Sequence, residues 1–169
     1  MIKKIGIIGA GQMGAGIAQI CSLSGLVVTM TDVGQSELNR ALKSIHDGIN
    51  RQIARGKLSE QEKTTALQRL NTAPDVSSFE TMDLVIEAVS EREDIKKSIF
   101  DDLAPVLNKN CLLATNTSSI SITRLATSTD RPDKFIGMHF FNPVPIMQLV
   151  ELIRGIATTP ETFDEINSL

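Results

Sequence analysis

The stretch Gly137-Met138-His139-Phe140-Phe141-Asn142-Pro143-Val144-Pro145, with Glu151 a short way beyond it, holds the residue types best suited to proton transfer. His139 ends the apolar run Phe135-Ile136-Gly137-Met138, which has the length of a buried strand, so its imidazole sits where a parallel strand delivers its last side chain to a cleft. Histidine is the one side chain whose unperturbed titration falls near neutral pH. Pro143 and Pro145 bracket Val144 and fix the exit of the chain. Glu151 lies inside a second apolar run, Leu149-Val150-Glu151-Leu152-Ile153, where a carboxylate is costly to bury unless something pairs with it. A hydrogen bond between His139 and Glu151 would set the ring tautomer and stabilise the imidazolium formed when the ring accepts a proton, as in a general base with its orienting partner. The other reading of His139 is a core histidine satisfied by its neighbours, and the elements around it must decide.

Those elements begin at the first residues. Ile2 to Ile8 is a short apolar strand that runs into Gly9-Ala10-Gly11-Gln12-Met13-Gly14-Ala15-Gly16, and this opens an apolar helix through Ile17, Ala18, Ile20, Cys21 and Leu23. Strand, glycine turn and helix in that order form the context a dinucleotide site requires. Gly9 permits the tight turn, Gly11 lets the backbone approach a pyrophosphate, and Gly14 allows the helix to pack closely. The phosphates then rest on unpaired amides at the helix start, those of Gln12 and Met13 among them. A second strand, Leu26 to Thr31, ends at Asp32, about 20 residues past the glycines, where a carboxylate accepts both hydroxyls of an adenosine ribose. The same acid repels a 2′-phosphate, so the spacing predicts NAD over NADP.

Ser36 to Ile53 has helical spacing through Leu38, Leu42, Ile45, Ile49 and Ile53, and a second helix starts at the capping box Ser59 to Glu62, with Leu67 and Leu70 as its apolar positions. The turn between them carries Arg51, Arg55 and Lys57, either a solvated helix end or a phosphate contact. Asp83 to Val89 reads as the next strand, with Glu91 leaving its carboxyl end and a helix from Arg92 to Leu107 behind it. Glu91 and Lys96 fit a structural ion pair or a cofactor contact. Cys111 to Thr115 is a further buried strand ending in Asn116-Thr117-Ser118-Ser119, polar groups that serve either a substrate oxygen or the cap of the short helix through Ile122, Leu125 and Ala126.

Strands alternating with helices from the start predict an α/β, Rossmann-type doubly wound sheet, mostly parallel, with ligands outside the carboxyl ends of its strands. The glycine turn, Asp32, Glu91, Ser118 and His139 all fall at those ends, which favours the catalytic reading of His139. A chain of 169 residues, 41% hydrophobic, is one domain rather than two. Its net charge of -3 argues against a nucleic-acid partner, and no apolar run approaches the ~18 residues of a membrane span. The start lacks the apolar core and cleavage site of a signal peptide, which predicts a cytoplasmic protein. Cys21 and Cys111 have no metal-ligand spacing and read as core residues, so no metal is expected.

These residues together resemble the NAD-binding domain of the 3-hydroxyacyl-CoA dehydrogenases, and within that family its bacterial 3-hydroxybutyryl-CoA branch. The matching stretches are Gly9 to Ala18, Ile86 to Glu91 with Lys96, Asn116 to Ile122, and Gly137 to Pro145 running on to Leu149-Val150-Glu151. The resemblance implies interconversion of an L-3-hydroxyacyl-CoA and a 3-ketoacyl-CoA with NAD, with short chains as substrate. It makes His139 the general base, Glu151 its orienting partner, Ser118 the partner of the reacting oxygen and Asn142 an organiser of the site. It sets Glu91, Lys96 and Asn116 along the cofactor, and turns the helical pair into a protruding hairpin whose Arg55 and Lys57 contact coenzyme A. Family members also have a C-terminal helical domain, which supplies most of a homodimer contact and a further active-site asparagine, and a last sheet strand. Residues 1–169 read as the NAD-binding domain without these parts, expected to bind NAD but turn over little alone. A non-catalytic NAD-binding module and the dehydrogenase part of a multifunctional fatty-acid oxidation protein are the alternatives.

Overall fold

The computed structural model describes all residues, Met1–Leu169. Short runs of Ile, Val and Leu make strands β1 (Lys4–Ile8), β2 (Val27–Thr31), β3 (Leu70–Ala73), β4 (Leu84–Glu87), β5 (Leu112–Thr115), β6 (Phe135–Phe140) and β7 (Val150–Arg154). Between and after them lie helices α1 (Gln12–Leu23), α2 (Gln35–Ala54), α3 (Glu60–Gln68), α4 (Glu93–Leu103), α5 (Ile122–Ala126) and α6 (Pro160–Asn167). The strands form one sheet in the order β3-β2-β1-β4-β5-β6-β7, parallel except for β7, which runs antiparallel to β6. The strand order reverses between β1 and β4, and a parallel sheet opens a ligand crevice at such a reversal.

Both faces of the sheet are covered, and the side-chain period of two sorts each strand between two cores. Ile5 and Ile7 of β1, Leu84 and Ile86 of β4 and Ala114 of β5 join Ile17, Leu38, Ile45 and Ile49 from α1 and α2. Ile8, Val85 and Leu113 point the other way and meet Phe100, Leu103, Leu125 and Phe135. Phe79, from a 3-10 turn at Val76–Phe79, is fully buried where a Cβ on Gly6 would come within 2.7 Å of its ring. Cys21 and Cys111 are buried in these cores, and burial pushes both thiols up to about 12.

The glycine turn, the paired helices and the alternating units stand as the spacing predicts. The α2–α3 hairpin turns at Gly56, whose φ of 69° favours glycine, and the Ser59 hydroxyl accepts from the Glu62 N–H at 3.2 Å while the Glu62 carboxylate accepts from the Ser59 N–H at 2.8 Å. Thr159 caps α6 with Pro160 in its first turn. Leu70 needs correction: it does not continue the second helix but opens β3, pairing with Val28. The run Leu70-Asn71-Thr72-Ala73 has too little apolar alternation to announce a strand, and the unpaired edge of β2 captures it. The helix expected to reach Leu107 stops at Leu103. No helix is long and apolar enough to cross a membrane.

Gly14 shows how tightly the first turn is built: a Cβ there would stand 1.8 Å from the Gly9 carbonyl oxygen, a backbone atom that cannot swing aside. Gly14→Ala is expected to lower the melting temperature by about 10 °C, the shift a loss of a few kcal/mol gives in a domain of this size. Calorimetry showing the variant as stable as the parent would contradict this packing.

Candidate active site

The site is assembled at the carboxyl ends of β1, β2, β4, β5 and β6. At the first, Gly9 takes a φ of 101°, and a Cβ on it would lie 2.6 Å from the Ala88 carbonyl oxygen, so the turn between β1 and α1 tolerates only glycine. Gly11 is the N-cap of α1 and offers no side chain to its amides, and a Cβ there would meet nothing within 4 Å. The first helical amide with a backbone acceptor is that of Ala15, bonded to Gly11 at 2.9 Å. The N–H groups of Gln12, Met13 and Gly14 therefore have no backbone acceptor at the positive end of the helix, which suits phosphate. Met13 packs its side chain against the core, so only its backbone is available there. Asp32 follows β2 and accepts from the Ala10 N–H at 2.5 Å and the Val33 N–H at 2.7 Å. Ala10, Gly11, Gln12, Asp32, Glu37 and Arg40 line one cavity of about 330 Å³. Free amides, an uncrowded glycine and a carboxylate for a diol match the adenosine diphosphate half of NAD.

A buried charge network lies beneath the next two strand ends. Glu87, the last residue of β4, is fully buried; its carboxylate accepts from the Val89 N–H at 2.7 Å, from Lys96 Nζ at 2.7 Å and from the Thr115 hydroxyl at 2.6 Å. Lys96 is 1% exposed and also lies 3.7 Å from Glu91. This corrects the expectation that Lys96 runs along a cofactor: its ammonium is enclosed by protein, and Glu87 supplies the counter-charge that makes its burial tolerable. Sequence reasoning passed over Glu87, although a carboxylate within the otherwise apolar Leu84-Val85-Ile86-Glu87 was the available signal. Glu91 fulfils the ion-pair reading and does more. One of its oxygens accepts from the Thr117 hydroxyl, the Ser118 and Ser119 amides at 3.0 and 3.1 Å, and the Ser118 and Ser119 hydroxyls at 3.4 and 3.0 Å. The loop after β5 is thus gathered around this single oxygen.

His139 and Glu151 are register partners across β6 and β7, and His139 Nδ1 lies 2.9 Å from Glu151 Oε2. The contact foreseen from sequence is present, but the reason given for it needs correction. Within these 169 residues Glu151 is not buried: β7 lies at the edge of the sheet they form, and the glutamate side chain is 53% exposed. The His139 ring is 21% exposed and stacks at a tilt on Phe141, with centroids 4.7 Å apart. Ser118, His139 and Glu151 line a shared cavity of about 360 Å³. The Asn116 side-chain oxygen accepts from the Phe140 N–H at 2.9 Å, which ties the loop after β5 to the end of β6. Asn142 lies outside that cavity; its oxygen accepts from Gln12 Nε2 at 3.0 Å, joining the segment after β6 to the glycine turn. It lines a larger cavity of about 500 Å³ between α1 and α2, together with Arg51, Arg55 and Lys57. The expected site residues thus form three adjoining groups: the glycine turn with Asp32, Ser118 with His139 and Glu151, and Asn142 with the hairpin cations.

Residues 4–169 match the family profile described as 3-hydroxyacyl-CoA dehydrogenase, NAD binding domain. The chain belongs to this family. It is 49% identical over 164 residues to a 3-hydroxybutyryl-CoA dehydrogenase of Bradyrhizobium diazoefficiens, covering 97% of this chain and 56% of that protein. It is 42% identical to a 3-hydroxyadipyl-CoA dehydrogenase of Escherichia coli, covering 99% of this chain and 35% of that one. The crystal structure of an (S)-3-hydroxybutyryl-CoA dehydrogenase from Ralstonia eutropha superposes with a TM-score of 0.97 at 43% identity, covering 99% of this chain and 59% of that chain. The chain therefore spans little more than half the length of two of these relatives and about a third of the other. As a member of an NAD-binding family, it carries the glycine turn and Asp32 as the groups suited to that cofactor.

Partial burial pushes the Glu91 carboxyl up, but the hydroxyls of Thr117 and Ser119, the Lys96 charge and the Ser118 amide together hold it below the ordinary glutamate range. A carboxyl depressed in the folded state contributes stability above its unfolded pKa and loses it as pH falls through the folded value. Glu91→Gln is accordingly expected to melt at lower temperature than the parent at pH 7, with the gap closing below about pH 4. A gap of equal size at both pH values would show that the charge of Glu91 does not hold the loop.

Proposed function

We propose that this chain is the cofactor-binding, base-supplying part of an NAD-dependent dehydrogenase that interconverts L-3-hydroxyacyl-CoA and 3-ketoacyl-CoA, with the short-chain 3-hydroxybutyryl thioester as substrate. The observation that carries the reading is the His139 to Glu151 contact at 2.9 Å, at the mouth of a cavity shared with Ser118. With Nδ1 committed to Glu151, the bare Nε2 of the neutral ring is left to accept the proton of a substrate hydroxyl. Glu151 offsets the positive charge that the ring then gains, and Ser118, turning its hydroxyl away from the long 3.4 Å contact with Glu91, donates to the oxygen from which the proton has gone. In the reductive direction the imidazolium returns that proton, with Ser118 donating to the developing alkoxide. NAD, when bound, accepts or returns the hydride. The glycine-turn amides and Asp32 would hold its adenosine diphosphate, with Glu91 and Asn116 nearer its other end.

The acyl-CoA reading has its own support. The α1–α2 cavity carries Arg51, Arg55 and Lys57 with no carboxylate on its walls, and Asn142 stands at the side nearest the glycine turn. Cations on a wall that carries no carboxylate suit the phosphates of a nucleotide thioester. A non-catalytic module would have no use for an imidazole oriented by a carboxylate. We further propose, on the family resemblance alone, a cytoplasmic location, a homodimer formed through residues other than these 169, and slow turnover by the 169 residues by themselves.

The test is His139→Gln in the protein as its gene encodes it, measured by acetoacetyl-CoA-dependent oxidation of NADH. Loss of the base is expected to lower kcat by ~10² to 10⁴, while the affinity for NADH in direct titration stays within about twofold, since no NAD group named above depends on the ring. Unchanged turnover would reject base catalysis by His139.

A further inference from the structure

The side-chain nitrogen of Gln19 is the one buried side-chain polar atom that finds no hydrogen-bond partner. Gln19 is 3% exposed, yet it lines the α1–α2 cavity of about 500 Å³. Burying an amide group unpaired is unfavourable, and an apolar residue of the same shape would fill the position at no such penalty. Its surroundings are arranged to keep it there. Gly48, inside α2, faces it: a Cβ at that position would stand 2.6 Å from Gln19 Oε1. Glycine is disfavoured inside a helix, and here its missing side chain is the space the carboxamide occupies.

We propose that the Gln19 carboxamide is a substrate-binding group that hydrogen-bonds an amide of the pantetheine arm of the acyl-CoA. This rests on the acyl-CoA reading above and assigns a residue which that reading leaves without a role. Gln12, Gly16 and Gln19 recur at four and three residues, so they share one face of α1, and Gln19 lies ~10 Å along the axis from Gln12. At the Gln12 end stands Asn142, bonded to it; on the α2 side stand Arg51 and Arg55, with Lys57 beyond them. A ligand with its acyl end toward Asn142 and its phosphates on the cations lays its middle across Gln19. In coenzyme A that middle is a chain with two secondary amides, each presenting one N–H and one C=O. A primary carboxamide, with a donor and an acceptor at its two ends, pairs with either. Gly16 keeps the wall low: a Cβ there would lie 2.8 Å from Val144, so the segment after β6 closes directly onto α1.

The experiment uses Gln19→Met, which keeps length and volume while deleting the amide, and Gly48→Ala, which crowds the amide without removing it. Both are measured in the protein as its gene encodes it, with acetoacetyl-CoA and NADH. For Gln19→Met the KM for acetoacetyl-CoA is expected to rise about tenfold, the effect of one amide hydrogen bond, with kcat and the Kd for NADH within about twofold. The melting temperature should stay level or rise, because an unsatisfied buried group has been removed. Gly48→Ala is expected to raise the same KM in the same direction. An unchanged KM in Gln19→Met would overturn the assignment and leave Gln19 with no more than a bridging water. So would a fall in melting temperature accompanied by weakened NADH binding, the signature of a structural brace. If the unaltered protein does not oxidise NADH with acetoacetyl-CoA, the function proposed above is itself at fault; if it does and Gln19→Met behaves as the parent does, only the role of Gln19 falls.

Discussion

The antiparallel pairing of β6 with β7 is the constraint on which the meeting of His139 and Glu151 depends. Residues directly opposite one another in such a ladder share a face, with Cβ atoms ~5 Å apart, and a slip of one residue would send every side chain of one strand to the other face. His139 is paired with Glu151 in this register, as Gly137 is with Ile153. Gly137 helps to pin it: a Cβ there would lie 2.7 Å from Ile122 and 3.1 Å from Ile153, so α5 and β7 both close onto the strand where no side chain intervenes. The parallel strands bring glycine turn, Asp32, Glu91 and the Ser118 loop to one edge; the reversed strand adds the carboxylate that meets His139.

Two of the side-chain pairs in the molecule have opposite characters. The exposed His139–Glu151 pair is of a kind that contributes ~0 to 1 kcal/mol to stability, so its value lies in fixing a ring rather than holding a fold. The Glu87–Lys96 pair is enclosed, and removal of either partner alone would strand a buried charge at a cost of about 3 to 5 kcal/mol. Lys96 stands between Glu87 and Glu91, and Glu91 gathers the Ser118 loop, so the enclosed network lies under the site while the pair proposed to handle the proton stays near water. The hydroxyl expected to meet the reacting oxygen is thus placed by charges that do not line its cavity.

Much of this was legible in the chain because the relevant signals are local. A glycine turn between strand and helix, an acid at the end of the second strand, and a histidine at the end of another each depend on a few neighbouring residues. What the sequence obscured was set by tertiary contacts. Leu70 belongs to a strand because β2 offers it an edge, and Lys96 is withdrawn from any ligand because Glu87, nine residues earlier, is buried beside it. Among these 169 residues Glu151 is exposed because β7 is the outermost strand they form, which an apolar run cannot reveal. Gln19 sits in an apolar helix with nothing local to mark it, and its setting is defined by Gly48 and the cavity beside it.

The central claim is that Glu151 dictates which nitrogen of His139 is free to exchange a proton. It is tested most directly by ¹⁵N resonances of the His139 imidazole, assigned by comparison with a variant lacking His46. The account predicts that the neutral ring carries its proton on Nδ1, with Nε2 bare, and that Glu151→Gln shifts the proton toward Nε2. A ring protonated on Nε2 in the unaltered protein, or a tautomer indifferent to the loss of Glu151, would contradict it.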